Sequence, residues 1–186
     1  MPTLLSPSLR AGFERLHAQR EAFFPSIEGT GGAMLWRRPT AADWAVGDTL
    51  LHLCKAMCVY RALVELSWPI LFPVVWLCRN CPFERSSVDI FAEQEAAGKR
   101  MRASLLLVPN RPSRLPSLDE LREQLEAETG RMEDKVAGIA EGVAGHFRLF
   151  DPGVGSPNLI QRVHLLAFHE QHHFKIIDRL LTGEAE

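Results

Sequence analysis

The feature that most constrains this fold is the helical spacing of its apolar residues, because no segment of comparable length alternates as a strand does. In the first such segment, Leu9, Phe13 and Leu16 recur every three or four residues. A chain of 186 residues with 46% hydrophobic residues is long enough to bury one core. We therefore predict a single all-α domain over residues 1–186, built as a four-helix bundle. The predicted helices run from about Ser8 to Ser26, Ala45 to Ser67, Ser117 to Gly142 and Asn158 to Leu181.

Glycine, proline and capping residues mark the ends of these helices. We expect the glycine-rich segment 28–32 to end the first helix, and Gly183 to end the fourth. Pro69 is expected to stop the second helix, because its ring clashes with the preceding turn. The third helix begins at SLDE, in which Ser117 and the acid three residues later form a capping box.

A long connection, Pro69–Pro116, joins the second and third predicted helices. It is rich in proline and arginine and contains one short helical candidate, Val88–Met101. We interpret it as a crossover connection or as an insertion packed against one end of the bundle. In the shorter loop before the second helix, Trp36 and Trp44 are expected to act as hydrophobic plugs.

Charge and hydropathy argue against nucleic-acid and membrane partners. The net charge is −2 and the 21 basic residues are scattered, so no basic stripe is available for a nucleic acid. The longest apolar stretch, Ser67–Cys78, is interrupted by Pro69 and Pro73 and is too short to span a bilayer. The first residues lack the pattern of a signal peptide, so we expect a cytoplasmic protein.

The four cysteines leave a second metal site open as an alternative. Without an export signal they are expected to be thiols, and small core residues are their commonest role. Cys78 and Cys81 have CxxC spacing, and Cys54 and Cys58 are one helical turn apart. The second pair lies about 120–160° from His52 around its helix, so it does not share a metal with that residue. A structural zinc bound by all four thiols, or a redox switch at the CxxC pair, is the alternative interpretation of these residues.

The stretch FHEQHHF, residues 168–174, places three histidines in the predicted last helix. At about 100° per residue around the helix axis, the directions of His169 and His173 differ by only about 40°. Both residues lie within a stripe of apolar side chains on one face of this helix. His172 lies at the edge of that stripe, and His164 points away from it. On the second helix, His52 lies among small or apolar residues and is the natural third donor. The stripe is formed by Leu159, Leu165, Leu166, Ile176, Ile177 and Leu180.

Two interpretations of these histidines follow from spacing alone. A single inward histidine is most often a core residue hydrogen-bonded to a carbonyl or hydroxyl group. Two inward histidines one turn apart leave four ring nitrogens in need of partners within an apolar seam. A divalent metal ion satisfies two of those nitrogens at once.

Two motifs give the chain a family resemblance. HEQHH, preceded by FRLFDPGVGSPNLIQRVHLLAF, and the upstream WRRPTAADWAVGDTLLHL resemble the two characteristic segments of the DinB-like superfamily. These proteins are metal-binding four-helix bundles and include thiol-dependent S-transferases. The resemblance implies that His52, His169 and His173 hold the metal. Many members carry glutamine where this chain has Ile176, so one polar contact of the pocket is expected to be missing.

A three-histidine site implies chemistry, because closed structural zinc sites normally have four protein ligands. We expect a divalent metal, zinc first and nickel or iron as alternatives, that activates a bound thiol or water. The thiol version, with a low-molecular-weight thiol as cosubstrate, follows from the resemblance and predicts an S-transferase. A hydrolase needs a general base, and Glu170 is expected to be exposed or to contact another helix instead.

Two further expectations concern partners. The alternative to an enzyme is a non-catalytic helical module that binds a ligand or partner and keeps the metal as a structural element. The second helix is apolar around most of its circumference, with Leu50, Leu53, Met57 and Val64 beside the His52 seam, which predicts a homodimer. A small-molecule substrate or thiol is the other expected partner.

Overall fold

The computed structural model describes residues 4–41, 43–98, 105–151 and 154–183. Within those ranges the chain is helical, with two isolated β-bridges and no strand, so the all-α prediction is confirmed. Four helices are long and three are short. The helices are α1 (Pro7–Ile27), α2 (Gly32–Leu35), α3 (Val46–Cys78), α4 (Ile90–Ala96), α5 (Leu118–Val136), α6 (Glu141–His146) and α7 (Leu159–Thr182), with a 3₁₀ turn at Leu105–Leu107.

The long helices pack mainly in two pairs, α3 with α5 and α1 with α7. The second pair approaches closely at Gly12, where an added Cβ would lie 2.7 Å from Val163. Phe23 of α1 and Phe174 of α7 stack with their ring centroids 3.8 Å apart. Each buried aromatic or aliphatic side chain of this kind contributes roughly 1.5–3 kcal/mol, so these contacts hold α7 in position.

The prediction that α3 ends before Pro69 is wrong, because the helix continues to Cys78 through Pro69 and Pro73. Each proline removes one hydrogen bond from the helix. The continuation is stabilised by packing, since Val75 is buried in the core cluster and Phe72 packs against that cluster. The connection to α5 therefore begins at Arg79 rather than at Pro69.

The other helix ends agree with the sequence with one exception. Ser117 caps α5 and Gly183 ends α7 with a left-handed φ of 77°, as predicted. The predicted third helix is divided, however, because α5 stops at Val136 and α6 follows it. Between them Gly138 has φ 79°, a conformation that interrupts a helix. Of the helical candidate Val88–Met101, residues 90–96 form α4, and residues 99–101 lie outside the described ranges.

The residues on which the dimer prediction rested do not form a free surface. Leu50, Leu53, Met57 and Val64 are each at most 3% exposed, so they belong to the chain's own core. By length and composition α3 is the one helix of the described ranges that could cross a membrane. One such helix does not show a membrane span, since core helices and signal sequences pass the same test, and 11% of the apolar window of α3 is buried in this structure.

Candidate metal centre

Two helices bring three imidazoles together. His52 lies in the second turn of α3, and His169 and His173 lie one turn apart on α7. Nε2 of His169 is 3.1 Å from Nε2 of His52 and also 3.1 Å from Nε2 of His173. The structure therefore assembles the three residues that the sequence selected.

The spacing of these nitrogens fits a metal ion. One donor atom from each residue lies within 4.8 Å of the other two. Nitrogens bound tetrahedrally to zinc at 2.0–2.1 Å are about 3.3 Å apart, close to the separations within this cluster. Three protein donors leave at least one coordination position for another ligand.

The hydrogen bonding of His52 directs a lone pair into the cluster. Its Nδ1 is 2.8 Å from the carbonyl oxygen of Leu107, and a carbonyl only accepts, so Nδ1 carries the proton. Nε2 of His52 is then unprotonated. Nε2 of His169 lies 3.1 Å from Nε2 of both His52 and His173, but it can form a hydrogen bond with only one of them at a time. The other nitrogen pair is then held close together without a hydrogen bond. A cation bound by all three rings removes that conflict.

The surroundings keep the three rings neutral. Burial lowers the pKa of His52, and it lowers the pKa of His169 to about 3 and that of His173 well below its usual value. The neighbouring histidines lower the pKa values of His169 and His173 further. Neutral imidazoles are the form that binds metal, so the cluster is prepared to act as a ligand set at neutral pH.

Aromatic rings enclose the cluster on two sides. The Trp44 ring centroid is 4.9 Å from that of His52, so this residue is a wall of the site as well as the expected hydrophobic plug. The Phe91 centroid, on α4, is 5.2 Å from that of His169 and 5.5 Å from that of half-buried His172. Sequence reasoning missed Phe91, because helical periodicity predicts a short helix there but not where that helix packs.

A segment of the connection, residues 107–111, is fastened over the first half of α3; we call it the strap. Nζ of Lys55 donates to the Val108 carbonyl at 2.7 Å. Nε and Nη2 of Arg111 donate to the two carboxylate oxygens of Asp48, each at 2.7 Å. These bonds hold the Leu107 carbonyl against His52, so the strap orients a candidate ligand.

Asp48 is the buried anchor of the strap, and sequence reasoning missed it. Its side chain also accepts from Nε of Arg38 at 2.9 Å and from the Ala45 backbone N–H at 3.0 Å. Burial by itself raises the pKa of Asp48, but the hydrogen bonds from Arg111, Arg38 and Ala45 outweigh it and hold the pKa far below its usual value. The acid therefore stays ionised and structural.

Glu170 does not reach the cluster, although it follows His169 directly. Its carboxylate accepts from Nε of Arg20 at 2.8 Å and from Nη2 at 2.7 Å, and from Nε2 of Gln19 at 2.9 Å. Glu170 and Arg20 are each 2% exposed. The residue contacts another helix, so it is not available as a general base at the histidines.

The four-cysteine zinc site is excluded by the course of α3. All four cysteines are free thiols. Because α3 runs without reversal from Val46 to Cys78, Cys54 and Cys78 are about 36 Å apart along it at 1.5 Å per residue. Burial raises the pKa of Cys54 to about 12, so that thiol stays protonated in the core.

Comparison with known protein families gives a match over most of the chain. A sequence model described as the DinB superfamily matches residues 15–177 of the 186, a range that includes His52, His169 and His173. No curated protein and no solved structure matches the chain.

Proposed function

The chain belongs to the DinB superfamily, and from this premise we propose that it is a divalent-metal-dependent enzyme with an open three-histidine site. The observation that carries the proposal is the convergence of Nε2 atoms from His52, His169 and His173. Zinc is the proposed metal because a tetrahedral site with three imidazoles and one open position suits it, and nickel and iron also accept imidazole ligands.

The reaction we propose is transfer of an electrophilic group to the sulfur of a low-molecular-weight thiol. A divalent cation at the cluster supplies Lewis acidity that lowers the pKa of a thiol at its open position. In the transfer, the sulfur lone pair forms a bond to the electrophilic carbon and the leaving group departs with its bonding electrons. The thiol proton is released to solvent, so the step requires no protein base.

The contacts of the site favour this reaction over hydrolysis. Activation of water is helped by a positioned carboxylate. Glu170, the nearest acid in sequence, is bound by Arg20, and Asp151 accepts from Tyr60 at 2.8 Å and from Arg162 at 2.7 Å. Trp44 and Phe91 place apolar surface beside the cluster, which suits a polarisable sulfur nucleophile and an apolar electrophile.

A second candidate function is a non-catalytic module whose metal is structural. The observation in its favour is the same enclosure, since Phe91 stacks near His169 and His172. Under this alternative, chelation lowers the melting temperature sharply while no thiol conjugate forms with any electrophile. Under the enzyme proposal, conjugation is metal-dependent.

We further propose one domain, with the four long helices as its bundle and residues 79–117 as the crossover that carries α4 and the strap. The strap and α4 support this, because they pack on α3 and α7 instead of forming a separate core. We propose a cytoplasmic location, which the four free thiols favour. A small-molecule electrophile and a thiol are the proposed partners.

Elemental analysis of the untreated protein tests the metal. We expect one divalent ion per chain in the wild type and almost none in His169→Ala, because a bidentate remnant binds weakly. His164→Ala is the matched control, since His164 lies on the same helix outside the cluster and its loss should leave metal content unchanged. Full metal loading in His169→Ala would refute the site.

Thiol conjugation tests the reaction. The wild type is assayed with a panel of low-molecular-weight thiols and a chromogenic aryl chloride, before and after chelation and after zinc is restored. The proposal expects product that requires both the metal and His169. Metal-loaded protein that forms no conjugate with any thiol, and whose melting temperature drops on chelation, would favour the structural role.

A further inference from the structure

Two arginines from different connections share one buried carboxylate near the histidine cluster; we call Arg38 and Arg111 the arginine pair. Nε of Arg38, in the loop before α3, donates to Asp48 at 2.9 Å. Arg111, at the end of the strap, donates to both oxygens of the same carboxylate, each at 2.7 Å. The Asp48 side chain is 0% exposed, whereas those of Arg38 and Arg111 are 39% and 33% exposed. Two cations with one buried counter-charge therefore reach the solvent together.

The two guanidinium groups keep donors that the protein does not use. Each guanidinium carries five N–H donors. Within the described ranges, neither Nη1 nor Nη2 of Arg38 has a hydrogen-bond acceptor, and the same is true of Nη1 of Arg111. Nη2 of Arg111 donates to Asp48 and to the Trp36 carbonyl. Guanidinium groups with unused donors are the usual ligands of carboxylates and phosphates.

The carboxylate that holds the arginine pair lies one helical turn from a candidate metal ligand. Asp48 precedes His52 by four residues on α3, which is about 6 Å along the axis and about 40° around it. The strap joins the two places, because the Leu107 carbonyl contacts His52 and Arg111 contacts Asp48. A peptide-like molecule spans about 3.3–3.6 Å per residue, so a small one is long enough to cover this distance.

The loop before α3 also runs from the arginine pair to the histidines. It carries Arg38 and, six residues later, Trp44. The Trp44 ring centroid lies 4.9 Å from that of His52 and 6.5 Å from that of His173. Two segments from different parts of the chain therefore border both places, and a ligand bound at the histidines has the arginine pair beside it.

The charges around this path favour an anionic ligand. The loop, the strap and the first turn of α3 carry three basic and two acidic residues: Arg37, Arg38, Arg111, Asp43 and Asp48. Asp43 is exposed and already accepts from Oγ1 of Thr40 at 2.7 Å. The remaining positive charge attracts anions toward the site.

We propose that the arginine pair anchors the thiol cosubstrate by a carboxylate or phosphate group while the sulfur of that thiol lies at the histidine cluster. This inference rests on the proposed function and names its cosubstrate class, an anionic thiol. The electrophile is less suited to the arginines, because Trp44 and Phe91 offer it apolar surface. Holding the thiol at both ends orients its sulfur and reduces the entropic cost of the reaction.

A purely structural role for Arg38 is the competing explanation. Under it, Arg38 only neutralises Asp48, and the charge of a thiol has no influence on its binding. Arg111 by itself gives Asp48 two hydrogen bonds and a counter-charge. Loss of Arg38 therefore leaves the strap fastened, which makes this residue the one to change.

Calorimetric titration of the full, metal-containing chain with matched thiols tests the proposal. The probes are glutathione with its diethyl ester, in which the carboxylates are masked, and 4′-phosphopantetheine with pantetheine, which lacks the phosphate. For the wild type we expect the anionic member of one pair to bind about tenfold more tightly, as a charged hydrogen bond implies. The pair that shows the preference identifies the acidic group. Arg38→Ala should bring the ratio close to one.

Arg114→Ala is the matched control, because Arg114 is exposed, follows the strap and pairs with Glu120 instead. It should keep the wild-type ratio. If Arg38→Ala does not fold, Arg38→Gln, which keeps a hydrogen-bond donor without the charge, takes its place. Equal binding of anionic and neutral thiols by the wild type would overturn the proposal. So would the absence of binding, or a full preference that survives the loss of Arg38.

Conjugation assays with the same four thiols separate this inference from the proposed function. Metal-dependent product formed equally well from anionic and neutral thiols would retain the enzyme and remove the anchor. Charge-selective binding that depends on Arg38, without product from any thiol, would retain the anchor and refute the transferase.

Discussion

His169 and Glu170 are consecutive residues of α7, yet their side chains enter two polar clusters that are completed in different ways. Both oxygens of Glu170 accept from Arg20, so the two charges are paired within the protein, although Nη1 of Arg20 has no hydrogen-bond partner among the described residues. His169 instead contacts the Nε2 atoms of His52 and His173, and a proton cannot satisfy both contacts. One cluster is closed by an ion pair, whereas the other places three nitrogens where they could hold a metal ion.

The comparison distinguishes a buried ion pair, which stabilises the fold, from the histidine cluster, whose nitrogens are arranged to bind a ligand. An ion pair whose two charges neutralise each other holds two helices together and leaves no charge for a substrate. The three neutral imidazoles have no charged counterpart. The His52 ring is hydrogen-bonded to the Leu107 carbonyl, whereas Nδ1 of His173 is buried without a partner among the described residues. Removing a member of the closed cluster should therefore change stability, and removing a member of the open cluster should change metal binding.

The largest expected effect is on the free energy of unfolding, when the Arg20–Glu170 ion pair is broken. Arg20→Ala leaves the Glu170 carboxylate buried without its counterion, which should lower the free energy of unfolding by about 3–5 kcal/mol. Urea unfolding monitored by circular dichroism measures it. Arg20→Met/Glu170→Leu, which removes both charges, should recover most of the loss. If Arg20→Ala cost under 1 kcal/mol (on the order of a surface pair) or removed the metal from folded protein, the comparison would fail.

An intermediate loss of stability is expected at Asp48, a buried carboxylate that is also paired within the chain. Asp48→Asn weakens charged hydrogen bonds from Arg38 and Arg111 and should cost about 2–3 kcal/mol at neutral pH. The folded-state pKa of Asp48 is depressed, so its stabilisation is complete above the unfolded pKa of about 3.9 and is lost as pH falls below it. Unfolding curves from pH 7 to pH 2 should show the wild-type advantage shrinking only at the acid end. An advantage that instead vanished near neutrality would contradict this assignment.

The smallest expected effect is on metal affinity. It tests whether the Arg111–Asp48 pair, which fastens the strap, supports the histidine cluster. Arg111→Ala loosens the strap that holds the Leu107 carbonyl against His52, and loss of such an orienting contact weakens metal binding by about tenfold. Competition with a chelator of known affinity measures the change. Arg114→Ala is the control, because Arg114 is exposed and pairs with Glu120. Equal affinity in both variants would show that the strap does not position His52.

Local signals in the sequence predicted much of the fold and all three candidate ligands. Ser117 and Gly183 mark helix ends correctly, because a cap depends on residues within one or two turns. His169 and His173 could be paired from spacing alone, since one helix fixes their relation. The error at Pro69 has a different origin, because burial of Val75 and packing of Phe72 stabilise α3 beyond the proline. That stabilisation comes from residues distant in sequence.

The amino-acid sequence by itself determined the all-α class, most helix ends, the inward direction of the histidine pair and, through its motifs, the family. Only the tertiary structure decided that Phe91 and the strap lie against the histidines, that Arg20 neutralises Glu170, and that half of α3 stays uncovered. The physical reason is the distance along the chain over which each kind of interaction acts. Helix formation and capping depend on neighbours a few residues away, whereas enclosure, charge pairing and exposure depend on which distant segments come to lie together.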